Sequence, residues 1–526
     1  MKKSIIFIIL ILAALTMASC SSQNNADNSD TQITSNISEI SIPIEKIRTL
    51  NPIITKDEDA YYLDKLIFDS LISLDNNLNP VPELASSWTY ENNGLTLVFT
   101  LNSNAKWHDG TPLTASDVEF TIETLSRAQY GNLSLYGKNV SNVKNVSTNG
   151  SDEVIINFKN GTNNAVENFD FPIISMRQFK NYNNVLKAQI DYIPIGTGPY
   201  KYASTKIANS ILLTPNNNYY QEKKAKNSLI FKIVPDKLAA ISLFEIGDLM
   251  ITFSKAIDRE TIFGDKDVNI YPYPSNEVEF VGFNFNNKFL KIKNLRQGIA
   301  NAIDSQKIID EAYFGNGVRN DNIYFPNYLG KNSSDALILN NLDKARQLFN
   351  EAGFINRDED IYLEDPSGNE LTINILVNGD DKSRISAAQL IKNNLDKLPI
   401  HSDIIIKDWN EYQYAVNSGN YDIFLGGFKV SETYDMRFAL HSNSNNPIKY
   451  SNKKLDGYLD LMQSGLTKED KLATFSNIKD ILNQDLPYYC ILYKTHAAIT
   501  SKKFQGTVNP YFFHIYHECF DWSYNK

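Results

Sequence analysis

The sequence predicts an α/β protein of two lobes, and three observations carry that prediction. Short apolar strands alternate with amphipathic helices over most of the chain, the pattern of strand–helix–strand units. At 526 residues the chain exceeds one compact core, so two or three domains are expected. Alternating units stand on both sides of one strand-to-helix run, Val278 to Asp304, VEFVGFNFNNKFLKIKNLRQGIANAID. In that run Val278, Phe280, Phe283 and Phe285 read as a strand with a bulge or switch at Gly282. Asn294 then stands where it can cap a helix that carries Leu295, Ile299, Ala302 and Ile303 on one face.

Composition narrows the function classes. A hydrophobic content of 42% and 12% aromatic residues describe a folded chain with large cores, not a disordered one. The formal net charge of −10 argues against a nucleic-acid polyanion as partner and leaves a cationic or zwitterionic ligand easier to accommodate. Lys2 and Lys3 precede an apolar run, Ile5 to Leu15, suited to a secretory signal and short for a permanent span. The run ends in Met17-Ala18-Ser19-Cys20, which resembles a bacterial lipoprotein cleavage site with Met17 where leucine is usual. Residues 1–19 are thus expected to be removed and Cys20 to become a lipidated first residue on a membrane surface. The polar stretch 20–38 reads as a flexible tether.

The fold proper begins with alternating Ile40, Ile42 and Ile44, followed by Thr49-Leu50-Asn51-Pro52-Ile53 and a helix over Tyr61 to Leu71. Leu95, Leu97, Phe99 and Leu101 alternate as a half-buried strand, Asp109-Gly110 marks a turn, and Thr114 with Asp117 makes a helix-capping pair. Val140 to Phe158 reads as a hairpin turning at Asn149-Gly150. Leu229 to Val234, Leu238 to Ile246 and Leu249 to Thr252 read as a strand–helix–strand unit with parallel pairing. Beyond the central run come a helix from Leu342 ending at Gly353, strands at Leu371 to Val377, Ile404 to Ile406 and Tyr421 to Gly426, helices at Arg384 to Leu398 and Glu411 to Asn417, and a late helix near Leu472 to Leu482. The chain returns through Pro487 to Tyr493 into an aromatic tail.

Several of these stretches resemble, in the same order, the hallmarks of the family 5 solute-binding proteins, the peptide, dipeptide and nickel binders of ABC importers. They are the organising run (the family's "fvgfN…vRqAl..AiD"), the LASSW…WHDGTPLTASDV block and Pro194-Ile195-Gly196-Thr197-Gly198-Pro199-Tyr200. Glu245-Ile246-Gly247-Asp248 is a further match. The resemblance implies a two-lobed periplasmic-binding-protein-like fold (type II, cluster C) with an extra third domain. Lobe I would comprise residues 39–70, 191–272 and 495–526, the extra domain 71–190, and lobe II 273–494. Crossing segments near Tyr271 to Glu279 and Pro487 to Lys494 would form the hinge, and the glycines of 194–200 a tight crossover.

In the peptide binders of that family an extended ligand lies between the lobes. The positions matching its site are Trp409, which stands before Phe428 at the spacing of the corresponding aromatics in oligopeptide binders, and Gly427-Phe428-Lys429. The aspartate that pairs with a peptide α-ammonium is replaced by Ser431, followed by Glu432, with Asp435 later. A buried ammonium needs a carboxylate, so Glu432 or Asp435 would take over that role, with Glu277, Glu279, Asp57 and Glu58 as further candidates. The resemblance implies a monomeric, lipid-anchored, extracytoplasmic receptor for oligopeptides, working with permease subunits and cytosolic ATPases. A nickel chelate or another small solute is the alternative ligand.

A secreted hydrolase is the alternative from a different class, and no nucleophile–base motif supports it. His108 and Asp109 are adjacent in an extended segment and point to opposite faces, so they read as structural. His514, His517 and Cys519 form a HxxHxC pattern that does not converge on one face of a strand, and neither metal nor cofactor is expected. Cys490 and Cys519 read as two buried thiols.

Overall fold

The computed structural model describes residues 39–525 apart from 131, 180, 188–191, 204–208, 257, 265, 321, 332–337, 358–360 and 432. The signal segment, Cys20 and the tether, and Glu432 among the candidate site residues, lie outside the described residues. The described residues form one compact unit.

Ile40–Glu45 buries Ile40, Ile42 and Ile44 on one face, as alternation requires, and pairs in parallel with Leu229–Val234. That strand pairs antiparallel with Ser210–Pro215, which pairs with Tyr200–Ala203, completing a four-stranded sheet. The expected parallel partner of Leu229–Val234 in the strand–helix–strand unit is not its neighbour. The third element, Ile251–Ser254, joins a different sheet and runs antiparallel to Tyr488–Ser501. Ile40–Glu45 comes between them, with Met250 N donating to Ser41 O at 3.0 Å.

The segment 71–190 contains its own antiparallel sheet, in the order Ala85–Glu91, Thr96–Leu101, Glu153–Phe158, Val143–Asn149. Helix Ala115–Ala128 starts at the expected capping box of Thr114 and Asp117. Gly150 turns the hairpin with φ 68°. His108 ties this domain to the Gly196–Gly198 segment, its Nδ1 accepting from Gly196 N at 3.2 Å and its Nε2 lying 3.1 Å from Gly198 O. Those two contacts require the neutral tautomer with its proton on Nε2. Burial first, and the charge of Lys201 after it, hold this imidazole down at about 4, so the residue is structural. The glycines serve close approach: a Cβ on Gly196 would lie 1.8 Å from Ile67 O, and one on Gly198 2.7 Å from Leu66 O.

A seven-stranded sheet, in which Gly317–Val318 is a short side branch, joins the two lobes that the sequence predicts. Its path is Ile251–Ser254, Tyr488–Ser501, Val268–Phe283, Ile423–Lys429, Thr372–Asn378 and His401–Lys407. The two long strands Val268–Phe283 and Tyr488–Ser501 pair antiparallel from Val268↔Ser501 to Gly282↔Tyr488. Their register shifts between Pro274 and Val278 and again between Glu279 and Phe280. The irregularity expected at Gly282 therefore falls earlier. Gly282 is required for another reason, since a Cβ there would lie 2.3 Å from the Phe424 ring.

Helix Lys293–Ala302 begins after Ile292, so Asn294 lies within its first turn and does not cap it; its amide instead reaches Glu351 at 3.3 Å. Val281, Phe283, Leu295, Ile299, Ile375 and Ile391 belong to the core of the second lobe. A larger core runs from Ile40 through Phe99 and Phe169 to Tyr324, Phe475 and Trp522. Helices Lys453–Met462 and Lys468–Asp485 belong to it, and a buried Lys471–Glu167 ion pair fastens them to the extra domain. Among the described residues no helix is long and apolar enough to cross a membrane.

Candidate ligand-binding site

The two faces of the crossing strand Val268–Phe283 have different chemistry. Val278 and Phe280 pack on the aromatic side, where the Phe280 ring lies 4.7 Å from Tyr488 and 5.0 Å from Phe428. Glu277 and Glu279 occupy the other face. There a chain of charges spans three strands and a helix. Lys429 lies 3.0 Å from Glu277, Lys494 lies 3.5 Å from Glu277 and 2.9 Å from Glu279, and Arg384 Nε lies 2.7 Å from Glu279. Burial raises the Glu277 carboxyl, but the Lys429 hydrogen bond and the charge of Lys494 outweigh it, and the group lies below the usual carboxylate value.

Ile423–Lys429 pairs with the crossing strand along its whole length, Ile423↔Phe283 to Lys429↔Glu277. With Thr372–Asn378 it pairs only at Ile423 and Phe424. From Leu425 to Lys429 its far edge thus has no strand partner among the described residues. Leu425 O accepts from the Tyr412 hydroxyl at 2.7 Å, and Tyr412 stacks on Trp409 with ring centroids 5.9 Å apart. Trp409, the first residue of its helix, is 46% exposed beside this edge. Gly427 is obligatory there, because a Cβ would lie 2.6 Å from both Val278 O and the Arg384 guanidinium. Phe428 is half-buried on the aromatic face, 5.0 Å from Phe438. Past the strand end Ser431 is exposed, its hydroxyl 3.2 Å from that of Thr433, and Asp435 is bound by Arg437 at 2.7 Å.

Asp57 and Glu58 lie on the first lobe, lining a cavity of about 540 Å³ with Lys255, Tyr273, His496 and Tyr516. Asp57 precedes helix Glu58–Ile67 and pairs with Arg48 at 3.2 Å, while Glu58 pairs with Lys255. Tyr273 and His496 come from the crossing strands, register partners with rings 6.0 Å apart, so the cavity floor continues into the strands that carry Glu277 and Lys494. Burial, and then the charge of Lys255, hold His496 down at about 4. Arg384, Tyr412, Lys494 and His496 were not among the predicted site residues. Lys494 and His496 do carry a signal, ionisable side chains two apart in a strand that holds no other ionisable groups than its tyrosines and Cys490.

The sequence profile described as "Bacterial extracellular solute-binding proteins, family 5 Middle" matches residues 79–450, well over half of the chain. The chain belongs to that family. The oligopeptide-binding protein AppA of Bacillus subtilis (strain 168) is 25% identical over 482 residues, covering 87% of this chain and 86% of the relative. Among solved structures, HbpA2 from Haemophilus parasuis aligns with a TM-score of 0.76 at 20% identity, covering 93% of this chain and 100% of that one. NikZ from Campylobacter jejuni in complex with Ni(L-His) aligns with a TM-score of 0.62 at 22% identity, covering 92% and 99%. The two-lobed α/β fold with an added domain is the fold of such binding proteins.

In this family 5 protein each described candidate carboxylate already has a cation. Asp57 holds Arg48, Glu58 holds Lys255, Asp435 holds Arg437, and Glu277 and Glu279 share Lys429, Lys494 and Arg384. Glu279 in particular is buried and fully engaged, so it is a structural charge of the crossing strand. Gly427 and Lys429 lie on one strand, to which Trp409 is linked through Tyr412 and Leu425, while Asp57 and Glu58 line the opposite lobe and Phe428 faces the aromatic side.

Proposed function

We propose that this family 5 protein is the extracytoplasmic receptor of an ABC importer, captures oligopeptides between its lobes and delivers them to the permease. The observation that carries this reading is the edge at Leu425–Lys429, which has no strand partner among the described residues and is linked through Tyr412 to the exposed Trp409. An extended peptide satisfies such an edge through its own main chain, which gives affinity with little demand on sequence. The kinship with the oligopeptide-binding AppA supports the same class of ligand. Trp409, Gly427, Phe428 and Lys429 contact the peptide from the second lobe, and Asp57 and Glu58 line the first. Ser431 and Asp435 follow the end of that edge and would meet one terminus of the peptide, and Glu432, outside the described residues, remains the further candidate there. Residues 1–19 are a lipoprotein signal and Cys20 carries the anchor, with 20–38 as tether. The protein acts as a monomer and a binder, not an enzyme. Ligand bridges the lobes and favours their closed arrangement, and the closed lobes dock on the membrane subunits.

Native mass spectrometry of the full chain purified gently from rich medium, with denaturing release of the bound species, tests this. A ladder of peptides is expected. A single non-peptide mass, or a metal chelate, would replace the peptide with that solute as the ligand.

A further inference from the structure

Glu277 is served by two lysines of unlike exposure. The Lys429 side chain is 72% exposed, while Lys494 is 21% exposed and also bridges to Glu279. Glu279 in turn is held by Arg384. Withdrawing Lys429 therefore leaves neither carboxylate without a cation, and an ion pair with so exposed a lysine contributes little to stability. Lys429 stands at the end of the strand edge that lacks a partner, so its ammonium reaches whatever lies along that edge. On a chain with a net charge of −10, a local cation that can be lent is what an anionic ligand requires.

We propose that Lys429 is a specificity-determining residue: on binding it turns from Glu277 to a carboxylate of the ligand, so that the site favours acidic peptides. This rests on the peptide-capturing reading and adds a charge class to it. The candidate carboxylates Asp57, Glu58, Glu277, Glu279 and Asp435 each hold a cation already, whereas the exposed Lys429 can be released to a ligand anion at no loss of a cation for Glu277. The carboxylate can come from an acidic side chain or from the peptide's own C-terminus, and both present the same chemistry to the ammonium.

The test is calorimetric titration of the full chain in detergent with short peptide pools carrying one Glu, and with the same pools carrying Gln. Each is made with a free and with an amidated C-terminus. The wild type is expected to prefer the pools bearing the added or terminal carboxylate by about tenfold. K429Q is expected to lose that preference, so that within the variant the Glu and Gln pools, and the free and amidated ones, bind with equal affinity. E277Q frees Lys429 from its resting partner and is expected to widen the preference, which a merely structural role for Lys429 would not do. A preference that follows Glu assigns the carboxylate to a side chain, and one that follows the free terminus assigns it to the peptide end. Equal binding of all pools by the wild type, or a preference that survives in K429Q, overturns the inference and leaves peptide capture standing. Failure of every pool to bind overturns peptide capture itself, and this inference with it.

Discussion

Arg384 grips Glu279 with both prongs, Nε to Oε2 at 2.7 Å and Nη2 to Oε1 at 3.0 Å, beneath the strand edge of the candidate site. Both side chains are withdrawn from water, Arg384 at 13% exposure and Glu279 at 4%. Removing Arg384 leaves Glu279 with Lys494 alone, at 2.9 Å, and removing Glu279 leaves Arg384 with only Asp381, at 3.6 Å, so each change loses the charged hydrogen bonds but not every counter-charge and costs about 1.5–3 kcal/mol. R384M and E279Q are each expected to lower the urea midpoint accordingly. The double variant is expected to be milder than the sum of the two, because it removes both charges. Additive losses in the double-mutant cycle would mean that the two groups do not act as a pair.

Gly427 allows that grip. A methyl group there would meet Val278 O, a backbone atom that the sheet holds in place, as well as the guanidinium. G427A is expected to destabilise the protein by about 1–3 kcal/mol through overpacking. G196A, whose Cβ would fall on Ile67 O, is expected to cost at least as much, whereas G161A meets nothing within 4 Å and serves as a neutral control. Thermal melts of the three variants decide the order, and a neutral G196A would contradict the close approach between the 194–200 segment and the helix end.

His108 and His496 make stability depend on pH in a definite direction. Each imidazole sits at about 4 in the folded chain against 6.5 for an unperturbed histidine, chiefly through burial. A base whose folded value is depressed binds its proton more weakly folded than unfolded. Its full contribution is therefore present above pH 6.5 and drains away as pH falls from there toward 4. For His108 the loss over that interval is about 3 kcal/mol. H108Q keeps a donor for Gly198 O and carries no titrating ring, so it is expected to start less stable at neutral pH and to lose less on acidification. Parallel pH–stability curves for wild type and H108Q would refute the role of this ring.

Local pattern reveals part of this molecule and long-range pairing the rest. The alternation of Ile40, Ile42 and Ile44, the Thr114–Asp117 capping box, the Asn149-Gly150 hairpin and the helix stop at Gly353 all use residues within a few positions of one another, and all appear where the sequence places them. Asn294 shows the limit. It has the chemistry of a cap, but its amide is taken by Glu351 from another helix. Glu277 and Glu279 are legible as polar residues in a crossing strand, yet their cations arrive from Arg384, Lys429 and Lys494, the first of them 105 positions from Glu279. No spacing rule connects such residues, so a carboxylate that reads as available in the sequence is engaged in the fold. The edge at Leu425–Lys429, without a strand partner among the described residues, is likewise a property of strand order, invisible until Thr372–Asn378 is seen to leave its neighbour after Phe424.

Trp409 offers the most direct optical test of the candidate site. The sequence contains four tryptophans; Trp107 and Trp522 are 2% and 1% exposed, Trp88 lies half-buried in the extra domain, and Trp409 is 46% exposed beside the open strand edge. A peptide strand laid along Leu425–Lys429 would shield the Trp409 indole and press it toward Tyr412, moving a wet aromatic side chain into a drier setting. Addition of a bound peptide is therefore expected to shift the fluorescence of the wild type to shorter wavelength. W409F is expected to abolish most of that shift while weakening binding by about tenfold, since an aromatic contact at a packed interface carries roughly 1–2 kcal/mol. A shift that persists in W409F would place the reporting tryptophan at Trp88 and move the ligand from the strand edge to the extra domain.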